Sequence, residues 1–139
     1  MSYDVDTFAH RYRAARQSRT GAALAPLWWP DGRLHHPTLN RPLPGYLVPA
    51  YTDYTLTRLP DLDWTSGRWA GTRNTVFLEW TCAATIGDKL VTWSGVDLFI
   101  LRDGRIDEEM VYHDTMPLWA ARDPAMRRDA MIDPDQIHT

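Results

Sequence analysis

Two histidines stand side by side in Leu34-His35-His36-Pro37, in a 139-residue chain that carries only five. An imidazole with an intrinsic pKa of about 6.5 can take a proton at neutral pH or ligate a transition metal. A residue ahead of proline is pushed out of helical geometry, so the stretch reads as extended backbone. Side chains alternate along such backbone; His36 is read as the inward member and His35 as solvated. Neighbouring histidines chelate poorly. A metal would need His36, Glu109 and His113 to converge, no Cys/His spacing matches a structural zinc site, and no metal is expected. Asp97 is the second candidate, because its strand face also carries Trp93, Phe99 and Leu101. A carboxyl against such a wall resists ionising, and a neutral acid can donate a hydrogen bond. In the competing structural reading Asp97 is a buried charge that needs a partner; Asp114 is either that partner or bonded only to backbone. Glu109 and His113 share one face of the following strand and form a second polar pair.

Several elements must position these groups. Val5, Phe8, Ala9, Tyr12 and Ala15 recur at helical spacing and predict a helix over Asp4–Arg16, with Ser2 or Asp4 able to cap it. Thr20–Trp29 reads as a short helix or turn, and residues 33–37 as the first strand. Tyr46–Leu59 suits a helix with a kink or interruption at Pro49. Beyond Asp63 the pattern turns to period two, predicting strands near 64–71, 75–86, 89–102 and 105–118, with turns at Gly87-Asp88 and Asp103-Gly104. Helices followed by a strand meander make an α+β domain. The last hairpin decides which residues meet. A three-residue loop would set Asp97 opposite Glu109, with Val111 and His113 on that face. A two-residue turn would bring Glu108, Met110, Tyr112 and Asp114 there instead, since one residue of slip exchanges the whole face. The first register is expected. Apolar residues on both faces of the 89–102 strand ask for cover on each side.

Composition narrows the function classes. Apolar residues make up 44%, with seven tryptophans and six tyrosines, which is unlike a disordered chain. A formal charge of −3 and no long basic run argue against nucleic acid. The single Cys82 excludes an internal disulfide and reads as a buried small hydrophobe. The acidic start is unlike a signal peptide, and no apolar run reaches about 18 residues, so no membrane partner and a cytoplasmic location are expected.

The segments LWWPDGRLHHP and VFLEWTCAATIGDKLVTWSGVDLFILRDGRIDEEMVYHD, after a first helix, resemble the nuclear transport factor 2-like superfamily. SnoaL-like polyketide cyclases and ketosteroid isomerases look nearest, over about residues 5–118; VDLFILRDGRI and the later YHD carry most of the likeness. The resemblance implies a cone-shaped curved antiparallel sheet wrapped by N-terminal helices (a cystatin-like α+β barrel), an apolar pocket and often a dimer. By motif position it implies that His36 stands where ketosteroid isomerases carry their carboxylate base. Asp97 then matches the acid donor to the substrate oxygen, and Tyr12 matches the tyrosine donor. The chain departs from its relatives elsewhere. Limonene epoxide hydrolases use an Arg–Asp pair on the third strand and an Asp on the last, where Trp80, Cys82 and Val111 stand here, so epoxide hydrolysis is not expected. SnoaL cyclases also keep an aspartate at the Val111 position.

These readings converge on one SnoaL-like domain over residues 1–120 with a polar C-terminal tail over 121–139. The expected activity is cofactor-free acid–base chemistry (isomerisation, cyclisation or dehydration) on a small apolar cyclic molecule such as a polyketide, steroid or terpenoid. His36, Asp97 and Tyr12 would be catalytic, with Trp28, Tyr46, Trp80, Trp93, Phe99, Glu109 and His113 around the substrate. A homodimer is expected. The alternative is a non-catalytic ligand-binding or dimerisation module of the same fold, a dimer whose pocket holds a ligand or is merely filled core.

Overall fold

A computed structural model describes residues 4–123 and 135. Helix α1, Val5–Gln17, starts where Asp4 accepts a hydrogen bond from the Asp6 amide, and it buries Phe8, Ala9, Tyr12 and Ala15. A 3-10 turn over Gly21–Leu27 leads into β1, Trp28–His35. The strand therefore starts five residues earlier than the sequence suggests. Trp28 pairs with Ile106, and the Trp29 indole donates to the Arg102 carbonyl, which hold both tryptophans in the sheet. After the two-residue β2, Leu43–Pro44, helix α2 spans Val48–Arg58. Pro49 does not kink it: it sits in the first turn, where its missing N–H removes no helical hydrogen bond.

Strands β3 (Asp63–Thr72), β4 (Thr75–Ile86), β5 (Lys89–Arg102) and β6 (Arg105–His113) form the meander. The chain then turns into α3, Met116–Arg122, rather than continuing as strand to residue 118. Asp114 takes the Met116 amide, and Pro117 lies in the helix's first turn, a combination that ends the strand. α3 also runs across the proposed boundary at residue 120; the rest of the expected tail, residue 135 apart, lies outside the described residues.

The six strands form one curved, unclosed sheet in the order β2-β1-β6-β5-β4-β3. It is mixed rather than wholly antiparallel, because β1 lies parallel to β6, with Leu34 beside Glu109. The α2 crossover and the long meander return the chain to β1 in the same direction. Irregularities in β1, β3 and the β5–β6 pair bend the strands and give the sheet its curvature. α1 and the 3-10 turn cover one part of the concave face through Phe8, Tyr12 and Leu24, which share a buried cluster with Trp28 of β1 and Phe99 of β5. A second apolar cluster, around Trp80, Cys82, Val91 and Trp93, is closed by Leu118 and Ala121 of α3.

The last hairpin combines features of both registers. Asp103 and Gly104 have φ of 51° and 76°, which make a two-residue primed turn flanked by Arg102 and Arg105. That turn alone would send Glu109 to the wrong face. An extra residue, Asp107, is bulged out between the Leu101–Ile106 and Ile100–Glu108 pairs and restores the parity. Asp97 is thus opposite Val111, not Glu109, but Glu109, Val111 and His113 do share its face.

Candidate functional site

The centre of the site is a pair of buried acids. Asp97 on β5 and Glu109 on β6 are 3% and 4% exposed, the two buried charged side chains of the described residues. Glu109 sits opposite Phe99, so the two acids are diagonal neighbours across the strand pair, within reach of side chains of this length. Trp80 on β4 fixes the arrangement by donating its indole N–H to Asp97 Oδ1 at 2.8 Å. Its ring can reach because Gly95 lies directly opposite: a Cβ there would come within 2.5 Å of Trp80 Cζ2.

Burial raises the pKa of both acids, since the surroundings disfavour a bare charge. Glu109 is pushed well above its ordinary range, by burial and then by the negative charge of Asp97. Its hydrogen-bonding contact with Asp97 raises Glu109 further and lowers Asp97, which also gains from Trp80. Burial thus disfavours two bare charges side by side, and Glu109 is the member raised further. Tyr12 is the next polar neighbour. Burial first, and then Glu109, raises its pKa, so its hydroxyl stays a donor. Phe8 and Phe99 hold the Tyr12 ring at centroid distances of 6.0 and 4.7 Å. Beside it lies Arg16, one helical turn on, with its guanidinium 5.1 Å from the Trp64 ring centroid.

His36 follows directly on β1. Its Nδ1 accepts the Thr38 backbone N–H at 3.1 Å and lies 2.7 Å from the Thr38 hydroxyl. An amide can only donate, so the neutral ring carries its proton on Nε2. Burial, then His113 and Arg16, lowers its pKa to about 4, so the ring is neutral at physiological pH. His113 is 5.3 Å from His36 and 5.7 Å from Trp80, centroid to centroid, and its Nδ1 meets the Asp114 carbonyl at 3.0 Å. His35 faces the other way, with Nε2 3.6 Å from Glu108.

A cavity of about 300 Å³ brings these groups together. That is the lower end of the range for small-molecule sites. His36, Asp97, Tyr12 and Glu109 line it, as do Trp28, Trp80 and Trp93. Three expected lining residues belong elsewhere. Tyr46 is 65% exposed outside the cavity, because the turn after Pro44 points it to solvent. Phe99 is spent in packing against Phe8 and Tyr12. His113 is not part of the wall and stands behind Trp80 and His36. Among the described residues, no three His, Cys, Asp or Glu side chains form a metal-holding group, so His36, Glu109 and His113 do not converge as one. Cys82 lines the wall as a neutral thiol, its pKa pushed up to about 12 by burial.

Sequence reading missed Arg16, Trp64 and Tyr51, all of which line the cavity. Arg16 was detectable in principle: it lies four residues after Tyr12, on the stripe that the helix turns inward. Gln17, Arg19, Asp63 and Thr65 line the cavity and are also exposed, which locates the mouth between the end of α1 and the start of β3. Arg19 ties these two segments by donating to the carbonyls of Pro60 and Leu62. Trp80, Cys82 and Val111 contribute mostly apolar wall.

Residues 9–109 match the family model of the SnoaL-like domain. Among solved structures, the chain is similar to IdmH from Streptomyces antibioticus, a proposed polyketide cyclase. That likeness has a TM-score of 0.69 at 19% identity and covers 86% of this chain and 99% of that one. A proposed SnoaL-like polyketide cyclase from Jannaschia sp. matches with a TM-score of 0.71 at 15% identity, over 84% and 90%. An LEH-like epoxide hydrolase of M. tuberculosis matches with a TM-score of 0.67 at 18% identity, over 88% and 92%. At such identities the likeness is one of fold. No curated protein matches the sequence. No described helix is long and apolar enough to cross a membrane.

Proposed function

The chain belongs to the SnoaL-like domain family of the nuclear transport factor 2-like superfamily, and on that footing we propose that it is a cofactor-free acid–base enzyme acting on a small cyclic carbonyl compound. The observation that carries this reading is the Asp97–Glu109 pair: two buried carboxyl groups side by side on the wall of an open cavity, where burial raises the pKa of each. A carboxylate whose pKa is raised by burial is a stronger base than a solvated one. Asp97 is the ionised member and takes a proton from the carbon beside the substrate carbonyl. Glu109 is the protonated member, able to return a proton. The developing enolate oxygen receives hydrogen bonds from the Tyr12 hydroxyl and His36 Nε2–H. These roles invert the sequence expectation, in which His36 was the base and Asp97 the neutral donor. The reason is specific: Thr38 occupies the one lone pair that His36 would need, and Trp80 donates to Asp97.

The open cavity favours an enzyme over a module whose tryptophans fill their own core. The names of the polyketide-cyclase relatives favour a ring-forming or ring-modifying step. Isomerisation, cyclisation and dehydration all begin with this proton abstraction. The test is deuterium exchange beside the carbonyl of cyclic ketones in heavy water, followed by NMR. The protein should accelerate exchange, and Asp97→Asn should lose about 10²–10⁴-fold. No acceleration across a panel of ketones, or full activity in Asp97→Asn, would refute the proposal.

The second part of the proposal is a homodimer through the convex face. Phe77, Leu98 and Met110 lie in one cross-strand row, and Val96 and Tyr112 in the adjacent one. Phe77 and Tyr112 are 46% and 59% exposed, an apolar surface that a second copy would cover.

A further inference from the structure

We infer that Arg16 anchors a carboxylate of the ligand, so that the cavity takes a flat ring bearing an acid group rather than a neutral ring. This deepens the proposed function and rests on it only in using the same cavity. Arg16 lines the cavity between its exposed mouth and its buried floor. It forms no ion pair among the described residues, where Arg33, Arg68 and Arg102 each have a carboxylate partner. Its polar neighbour is the Tyr12 hydroxyl, and its flat face lies over Trp64. Stacking of that kind orients the guanidinium while leaving the N–H groups at its edge free. Those edge donors match the two oxygens of a carboxylate.

The acids already present do not occupy this role. Asp97 is engaged by Trp80 and by Glu109, burial raises the pKa of Glu109, and neither acid forms an ion pair with Arg16 among the described residues. The pair acts on Arg16 through its charge and not as a bidentate partner. Around it, Trp28, Trp64, Trp80 and Trp93 contribute four indoles to the wall. Such a wall suits a planar ring. The ligand's acid group would then sit at Arg16, near the mouth, and its ring would extend inward toward Asp97.

The test compares 2-naphthoate with its neutral methyl ester by titration calorimetry on the full chain at neutral pH. The acid should bind about ten- to a hundredfold more tightly than the ester, the margin a charge-assisted contact gives. Arg16→Gln should abolish that preference and leave ester affinity within about threefold, and Arg16→Lys should keep only part of it. Equal affinity for acid and ester, a preference that survives Arg16→Gln, or no binding of either compound overturns the inference. Should Arg16→Gln fail to fold by circular dichroism, the acid-to-ester ratios of the unmodified protein and Arg16→Lys decide the matter. Asp97→Asn should retain the acid preference while losing exchange activity, so the anchor and the acid–base mechanism can fail separately.

Discussion

Replacing Glu109 with glutamine tests the state of the acid pair directly. Glutamine keeps the shape and an N–H donor toward Asp97 but cannot hold or release a proton. In the folded protein the Glu109 pKa is raised well above its ordinary value of about 4.5, first by burial and then by Asp97. The unfolded chain, by contrast, releases that proton once the pH passes about 4.5. Above this point the native state binds more protons than the unfolded state, so stability falls as pH rises until the folded pair itself ionises. One retained proton gives a limiting slope of about 1.4 kcal/mol per pH unit. Between pH 5 and 7 the loss is therefore bounded at about 3 kcal/mol, or roughly 10 °C in Tm for a domain of this size. Glu109→Gln removes this term. Its Tm, measured by calorimetry relative to the unmodified protein, should rise steadily from pH 5 to 7, while exchange activity drops about 10²–10⁴-fold for want of the acid. A Tm difference between the two proteins that stays flat over this range would show that Glu109 is ionised in the folded state, and the proton-sharing pair would be wrong.

Other consequences are open to measurement. His36 has the opposite linkage: its folded pKa of about 4 lies below its ordinary 6.5, so its stabilisation is present above pH 6.5 and is lost on acidification toward 4. NMR titration should find the His36 ring neutral at pH 6, and a midpoint near 6.5 would refute the buried, Thr38-bonded geometry. Gly95→Ala places a Cβ 2.5 Å from both Trp80 Cζ2 and the Tyr112 carbonyl. Urea unfolding should show a loss of about 1–3 kcal/mol from overpacking, with exchange activity falling as the indole is displaced. Trp80→Phe preserves most of the volume but removes the donor to buried Asp97, and should cost about 1–3 kcal/mol. Phe77→Glu introduces a charge at one end of the convex apolar row, at an exposed member, and light scattering should find the variant monomeric if that face pairs two copies.

The sequence made the elements legible where one periodicity dominates. α1 and strands β3 to β5 fall within a residue or two of expectation, because helical apolar spacing marks the first and period-two runs bounded by turns mark the others. Reading failed at places governed by pairing at a distance. Nothing local marks Trp28 and Trp29 as strand; their extension depends on β6 and the Arg102 carbonyl, more than 70 residues away. The Asp103-Gly104 turn was visible as a turn, but the bulge at Asp107 was not. The correct face was reached through the wrong loop, since two departures from a regular hairpin cancel. The site shows the same division. Tyr12, Asp97, Glu109 and His36 were found as chemically suitable residues, whereas their protonation depends on Trp80, Thr38 and Arg16, which only the folded arrangement brings alongside.

The polar cluster is also hard to explain as a device for stability. Asp97 and Glu109 occupy inward strand positions between residues such as Leu101, Phe99 and Val111, where an aliphatic side chain would fit the pattern of the sheet. Burying two acids costs desolvation, and even a well-bonded buried charge is often no more stabilising than apolar residues of similar volume. Here the arrangement incurs a further cost, because Gly95 surrenders a side chain so that the Trp80 indole can reach Asp97. Three strands therefore contribute adjustments to a single carboxylate, and the cavity beside it is left unfilled. Local rules broken together at one place, while the surrounding core obeys them, mark a position kept for its chemistry. If the cluster were only structural, replacing Asp97 and Glu109 together with leucines would leave exchange unchanged and stability equal or higher. Under the acid–base reading the double variant should gain stability at pH 7 and lose exchange altogether, so exchange activity separates the two accounts where stability does not.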